Sequence, residues 1–118
     1  MTVQERSIGD VTILDVGGRI TVQEGATRLA QPLTRLLNNP RPQILINMAD
    51  VSYIDSTALG ELVRAYSGAA KRDGAMKLLH VPGPVRQLLT LTRLAGVFEL
   101  FDSEAEALAS FGSASSSQ

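Results

Sequence analysis

The run Ile44-Leu45-Ile46-Asn47-Met48 is nearly continuous in apolar residues, and an amphipathic stripe begins shortly after it. A strand that turns apolar side chains to both faces of its sheet needs cover on both, which a half-solvated antiparallel sheet does not supply. Downstream, Leu59, Leu62, Val63 and Tyr66 recur at i, i+3, i+4 and i+7, and Glu61, Arg64, Lys71 and Arg72 fall on the opposite side. That spacing predicts a helix with one buried face and one polar face open to a partner. Between strand and helix lies Asp50-Val51-Ser52-Tyr53-Ile54-Asp55-Ser56-Thr57, so a pair of hydroxyls stands at the start of the helix.

The same alternation runs through the rest of the chain. Val3 to Arg6 and Val11 to Val16 flank Ile8-Gly9-Asp10 and read as an antiparallel hairpin, with Gly17-Gly18 ending its second strand. Thr21 and Glu24 have the spacing of a capping box, and Val22, Ala26, Leu29, Leu33, Leu36 and Leu37 make a helical stripe that stops at Asn38-Asn39-Pro40. Pro32 interrupts this stripe, because it lacks an amide proton and clashes with the carbonyl of Arg28; the helix must kink there or start later. Asp73-Gly74 ends the helix after Ser56, and Lys77 to Val81 is the next strand. Pro84 opens a third helix through Val85, Leu88, Leu89 and Leu91, and Ala95-Gly96 stops it. A short strand from Phe98 to Phe101 precedes a last helix capped by Ser103, with Ala105, Leu108, Ala109 and Phe111 turned inward. The order ββαβαβαβα predicts an α/β domain over residues 1–111 with right-handed crossovers, followed by a disordered Ser-rich tail at 112–118.

Composition narrows what such a domain does. A chain of 118 residues suits one domain with its own core. Eleven basic residues against twelve acidic ones, with no run of one sign and only scattered aromatics, argue against nucleic acid as a direct ligand. The absence of cysteine removes disulfides and thiolate metal sites, which suits a reducing cytoplasm. No secretory leader and no membrane-length apolar stretch is visible, so a cytoplasmic protein without membrane insertion is expected.

Four readings compete at the strand-to-helix junction. The plain expectation is that Ser56 or Thr57 caps the helix through its side-chain oxygen. The functional one is that a hydroxyl accepts a phosphoryl group, whose charge of about −1.5 to −2 would sit beside Asp55 at the positive end of the helix. A receiver-type phosphoaspartate at Asp50 or Asp55 lacks the acidic pair that would hold a divalent ion and the lysine at the last strand edge. A serine hydrolase would have to pair Ser56 with His80, the single histidine, yet Ile54-Asp55-Ser56-Thr57-Ala58 is not Gly-x-Ser-x-Gly and no Gly-rich oxyanion loop accompanies it. Gly17-Gly18 lacks the residues of a phosphate loop. No catalytic residue, cofactor or metal site is therefore expected.

The run from Asp50 to Gly60 resembles the phosphorylation segment of STAS domains, in particular bacterial anti-sigma factor antagonists. Gly18-Arg19-Ile20, the stretch from Val81 to Leu89, and the stretch from Phe98 to Glu104 are similar to other landmarks of that family, so the resemblance spans nearly the whole chain. It implies a small, mostly parallel mixed sheet with helices largely on one side, and no enzymatic activity. It also implies that Ser56, with Thr57 as the alternative, is phosphorylated by an ATP-binding serine kinase that doubles as the anti-sigma factor, and is reset by a serine phosphatase. The unphosphorylated form would hold the kinase and free the sigma factor, with Asp55, Ser56, Thr57, Ala58, Glu61 and Arg64 forming the contact surface. The alternative is a STAS scaffold or transporter-associated subunit, in a stress-signalling complex or in lipid or anion transport, that is not phosphorylated. One departure stands out: Ala58 occupies a position where the family commonly has glycine, which places a methyl where a kinase would approach.

Overall fold

A computed structural model describes residues 2–23 and 26–116. Among them the chain runs β1 (Thr2–Ile8), β2 (Val11–Ile20), α1 (Ala26–Leu37), β3 (Gln43–Ile54), α2 (Ser56–Lys71), β4 (Ala75–Leu79), α3 (Gly83–Leu91), β5 (Leu100–Phe101) and α4 (Glu104–Ser116). The strands lie side by side in chain order. β1 is antiparallel to β2, and β2 through β5 are parallel, which is the mixed α/β sheet that the alternation of periods predicts.

Each side chain's face follows from the two-residue period of a strand. Leu14, Ile44, Ile46, Met76 and Leu78 join one core with the buried residues of α1, α2 and α3. Ile13, Leu45 and Leu79 join a second core with Ala107 and Phe111 of α4. Three helices thus cover one face and one helix covers the other, which explains why Ile44-Leu45-Ile46 needs no polar alternation. Phe98 closes the larger core against Tyr66, with ring centroids 5.4 Å apart at 74°.

Several boundaries differ from the sequence reading, each for a local reason. Gly17-Gly18 does not end β2: Gly18 takes φ +86°, and the strand continues to Ile20. Opposite it, two steps along β2 from Asp15 to Gly17 match three along β3 from Asn47 to Asp50, and one step from Gly18 to Arg19 matches two from Val51 to Tyr53. β3 therefore bulges twice, which lets it run on past Met48 while turning Val51 and Ile54 into the core. The helix after β2 starts at Ala26, so Pro32 sits inside it and Thr21 belongs to the connecting loop; Glu24, the other half of the expected capping box, lies outside the described residues. On α4 the inward residues are Ala107, Leu108 and Phe111, whereas Ala105 and Ala109 are exposed. That helix is described to Ser116, and positions 117 and 118 of the expected tail lie outside the described residues.

α4 is fastened to its face by charge as well as by apolar contact. Arg6 of β1 donates to both carboxylate oxygens of Asp15, at 2.6 and 3.0 Å, and to Glu104 at 2.7 Å. Asn47 completes the group by donating to Asp15 at 2.8 Å. The Arg6 guanidinium holds the carboxyls of Asp15 and Glu104 below their ordinary range. Lys77, which is buried, points from β4 into the same face and donates to Ser110 at 2.8 Å, with its ammonium 4.7 Å from the Phe111 ring centroid.

Two tests follow. Leu62 of α2 is 1% exposed, so Leu62→Ala should lower unfolding free energy by about 2–5 kcal/mol in urea titration. The lowered carboxyl pKa values of Asp15 and Glu104 mean that their contribution is full above the ordinary carboxylate range and lost as pH falls through the folded values. Arg6→Met should therefore flatten the acid limb of the stability–pH profile below about pH 4 relative to the parent.

Candidate functional site

β3 delivers the junction to the carboxyl edge of the sheet, where α/β sites form. Ile54 is buried and anchors the strand end, and the Asp55 amide donates to the Ile20 carbonyl at the end of β2. Asp55 is then the residue that caps α2: its backbone is extended, at φ −103° and ψ −177°, and its Oδ1 accepts the Ala58 amide at 3.0 Å. The second oxygen, Oδ2, accepts the Val22 amide at 2.8 Å and so ties the loop after β2 to the start of α2. These amides, Ala58 first and Val22 second, pull the Asp55 carboxyl below its ordinary range.

The assignment of Asp55 as cap corrects the plain expectation for Ser56 and Thr57. A carboxylate can divide itself between two amides, and a hydroxyl at the next position is not needed. Ser56 and Thr57 occupy the first helical turn and are exposed, and neither hydroxyl enters a hydrogen bond among the described residues. Both stand at the helix end that favours negative charge.

The other expected contact residues divide. Glu61 and Arg64 lie on the solvent side of α2, where Arg64 donates to Glu61 at 2.7 Å and to Thr34 of α1 at 3.1 Å. Ala58 is 0% exposed. Its methyl is enclosed in the core, so Ala58 cannot touch a partner, and the departure from glycine leaves the surface around Ser56 unchanged.

A feature that the sequence reading missed adjoins Ser56. Tyr53, Ser56, Pro84, Leu88 and Leu91 line a cleft of about 230 Å³ between the end of β3 and α3. Leu91, the last residue of α3, is 74% exposed. Its spacing carried the signal: Val85, Leu88 and Leu89 fit the i, i+3, i+4 rule, and a residue six positions after Val85 falls off that stripe. The guanidinium of Arg19 lies 5.2 Å from the Tyr53 ring centroid at the edge of this region.

Other chemistry finds no assembly here. His80 takes φ +54° after β4 and makes no hydrogen bond to Ser56 among the described residues. Asp50 lies within β3, paired with Gly17, and is not at a strand end as a receiver site would require. Among the described residues no group of three or more His, Cys, Asp or Glu side chains is placed to hold a metal ion, and no helix is long and apolar enough to cross a membrane.

Comparison with known proteins agrees with this geometry. Residues 2–107 match the STAS domain family. A Thermotoga neapolitana protein named as an anti-sigma factor antagonist is 26% identical over 101 residues, which cover 86% of this chain and 89% of that protein. Among solved structures, an anti-sigma factor antagonist from Thermotoga maritima superposes with a TM-score of 0.85 at 24% identity, over 92% of this chain and 93% of that one. The anti-sigma factor antagonist SpoIIAA in its unphosphorylated form gives 0.76 at 18% identity, over 91% and 93%. The Bacillus SpoIIAA in its phosphorylated form gives 0.74 at 15% identity, over 92% and 97%. With the sheet order, the three-and-one helix arrangement and a match over nearly its whole length, this chain belongs to the STAS domain family.

Proposed function

We propose that this domain is an anti-sigma factor antagonist that works as a phosphorylation switch, with Ser56 as the acceptor. The observation that carries this reading is the division of labour at the junction: Asp55 supplies the cap, and the Ser56 hydroxyl is exposed and takes part in no hydrogen bond among the described residues. A residue that the fold does not use for capping can be modified without unfolding the helix. The names of the relatives support the antagonist role, and SpoIIAA has been solved both with and without its phosphate.

The partner in this reading is an ATP-binding serine kinase that is also the anti-sigma factor. Ser56 Oγ bonds to the γ-phosphorus of ATP as the bond to ADP breaks, and the hydroxyl proton passes to a base of the kinase. The added charge of about −1.5 to −2 is tolerated by the helix end but stands beside the Asp55 carboxylate, with no neutral surface left for the kinase to cover. A penalty of about 2.7 kcal/mol on the phosphorylated complex is enough for a 100-fold loss of affinity. The kinase then returns to the sigma factor, and a serine phosphatase restores the antagonist. In this reading the domain acts by binding in the cytoplasm and is not itself a catalyst; among the described residues His80 makes no hydrogen bond to the Ser56 hydroxyl.

The test is incubation with the cognate kinase and ATP. One phosphate should be gained per chain, and peptide mass spectrometry should place it on Ser56 ahead of Thr57. Ser56→Ala should hold the kinase persistently in the presence of ATP and keep the parental melting temperature, because Asp55 remains the cap. Placement of the phosphate on another residue, or equal behaviour of Ser56→Ala and the wild type, would return the lead to the unphosphorylated scaffold. A fluorophosphonate probe should leave Ser56 unlabelled; stoichiometric labelling abolished by His80→Ala would instead establish a hydrolase.

A further inference from the structure

Tyr53 and Leu91 are large apolar side chains left 46% and 74% exposed, and both line the cleft that Ser56 borders. Leu88 and Pro84 supply most of the remaining apolar wall. Exposed aromatic and aliphatic groups around a concave site mark an interaction surface more strongly than the same groups scattered singly.

We propose that this cleft seats one large apolar side chain of the kinase that phosphorylates Ser56, and that this anchor supplies much of the docking affinity. The inference rests on the reading of Ser56 as phosphoacceptor. Size favours a side chain over a small molecule: about 230 Å³ lies below the roughly 300 Å³ at which small-molecule sites begin, and it suits one inserted residue. Continuity favours the kinase over a second copy of this chain. Ser56 is part of the cleft wall, so a protein that brings ATP to its hydroxyl covers the cleft in the same act, whereas a second copy seated there would shut the kinase out.

The arrangement also accounts for release. Before transfer, the cleft border carries the neutral Ser56 hydroxyl beside an Asp55 carboxylate whose two oxygens are already held by the Val22 and Ala58 amides, so an apolar anchor can cover it without leaving a charge unpartnered. After transfer it is a phosphate, and keeping the anchor seated would strip water from that charge without offering it a partner. Anchor and phosphate therefore exclude each other.

The test uses Tyr53→Ala and Leu91→Gln, with Ile8→Gln as a control, since Ile8 is 42% exposed at the hairpin turn and lies outside the cleft. Binding of each full-length variant to the ADP-loaded kinase that phosphorylates Ser56 is measured by calorimetry, alongside steady-state phosphorylation and light scattering. Each cleft variant should weaken binding by about 10-fold or more and raise KM with little change in kcat, while Ile8→Gln binds like the parent. All three should melt like the parent, because the substituted side chains are exposed. Parental affinity in both cleft variants, with Ser56 still phosphorylated, would overturn the anchor and leave the switch standing. Loss of a dimer in Leu91→Gln with kinase affinity unchanged would assign the cleft to a second copy and equally overturn it. Failure of the wild type to bind or be phosphorylated by any ATP-binding anti-sigma kinase would remove both readings.

Discussion

The Asp55 carboxylate holds together the junction of β2, β3 and α2 that carries Ser56. Its Oδ1 closes the first turn of α2 through the Ala58 amide, and its Oδ2 fixes the loop after β2 through the Val22 amide. Its own amide donates to Ile20, so one residue joins the ends of two parallel strands to the start of a helix. With the capping role taken by a group that is ionised throughout the physiological range, the neighbouring hydroxyl is left without structural duty. The exposed Ser56 is thus a consequence of how Asp55 is used.

The two faces of the sheet divide the remaining tasks. α1, α2 and α3 bury the larger core, and the polar side of α2, the Ser56 turn and the cleft beside α3 all belong to that layer. α4 is fixed to the opposite face by Phe111, Lys77 and the Arg6–Asp15–Glu104 group. A phosphate on Ser56 therefore alters the surface of one layer without removing any contact that holds the other. In the proposed switch, what binds would change while the fold stays carried by groups that the modification does not reach.

Much of this was legible in the sequence because it depends on short-range periodicity. The unbroken apolar run at Ile44 to Ile46 required cover on both faces, and the stripe through Leu59 and Leu62 located the buried side of α2. The second half of β3 was not legible, since its double bulge breaks the two-residue period at Met48 and again near Ser52, and only pairing with β2 shows that the strand continues. The cap was misassigned because Asp, Ser and Thr are all strong capping residues in succession; what decides among them is the Val22 amide, 33 residues away in sequence, which can be satisfied by a carboxylate that also reaches Ala58. Ala58 shows the same limit, for its place in the core depends on where the helix begins. The cleft needed the approach of α3 to the end of β3, which no local pattern encodes.

The central claim is that charge at Ser56 governs partner binding while the fold stays as it is. Its most direct test is calorimetric titration of the kinase with the wild-type protein before and after stoichiometric enzymatic phosphorylation, with native folding of both samples verified by their amide spectra. A fall in affinity of about 100-fold on phosphorylation, with spectral changes confined to the neighbourhood of Asp55, Ser56 and Val22, is the predicted result. Equal affinities of the two forms, or a loss of binding accompanied by disruption of the core, would contradict it.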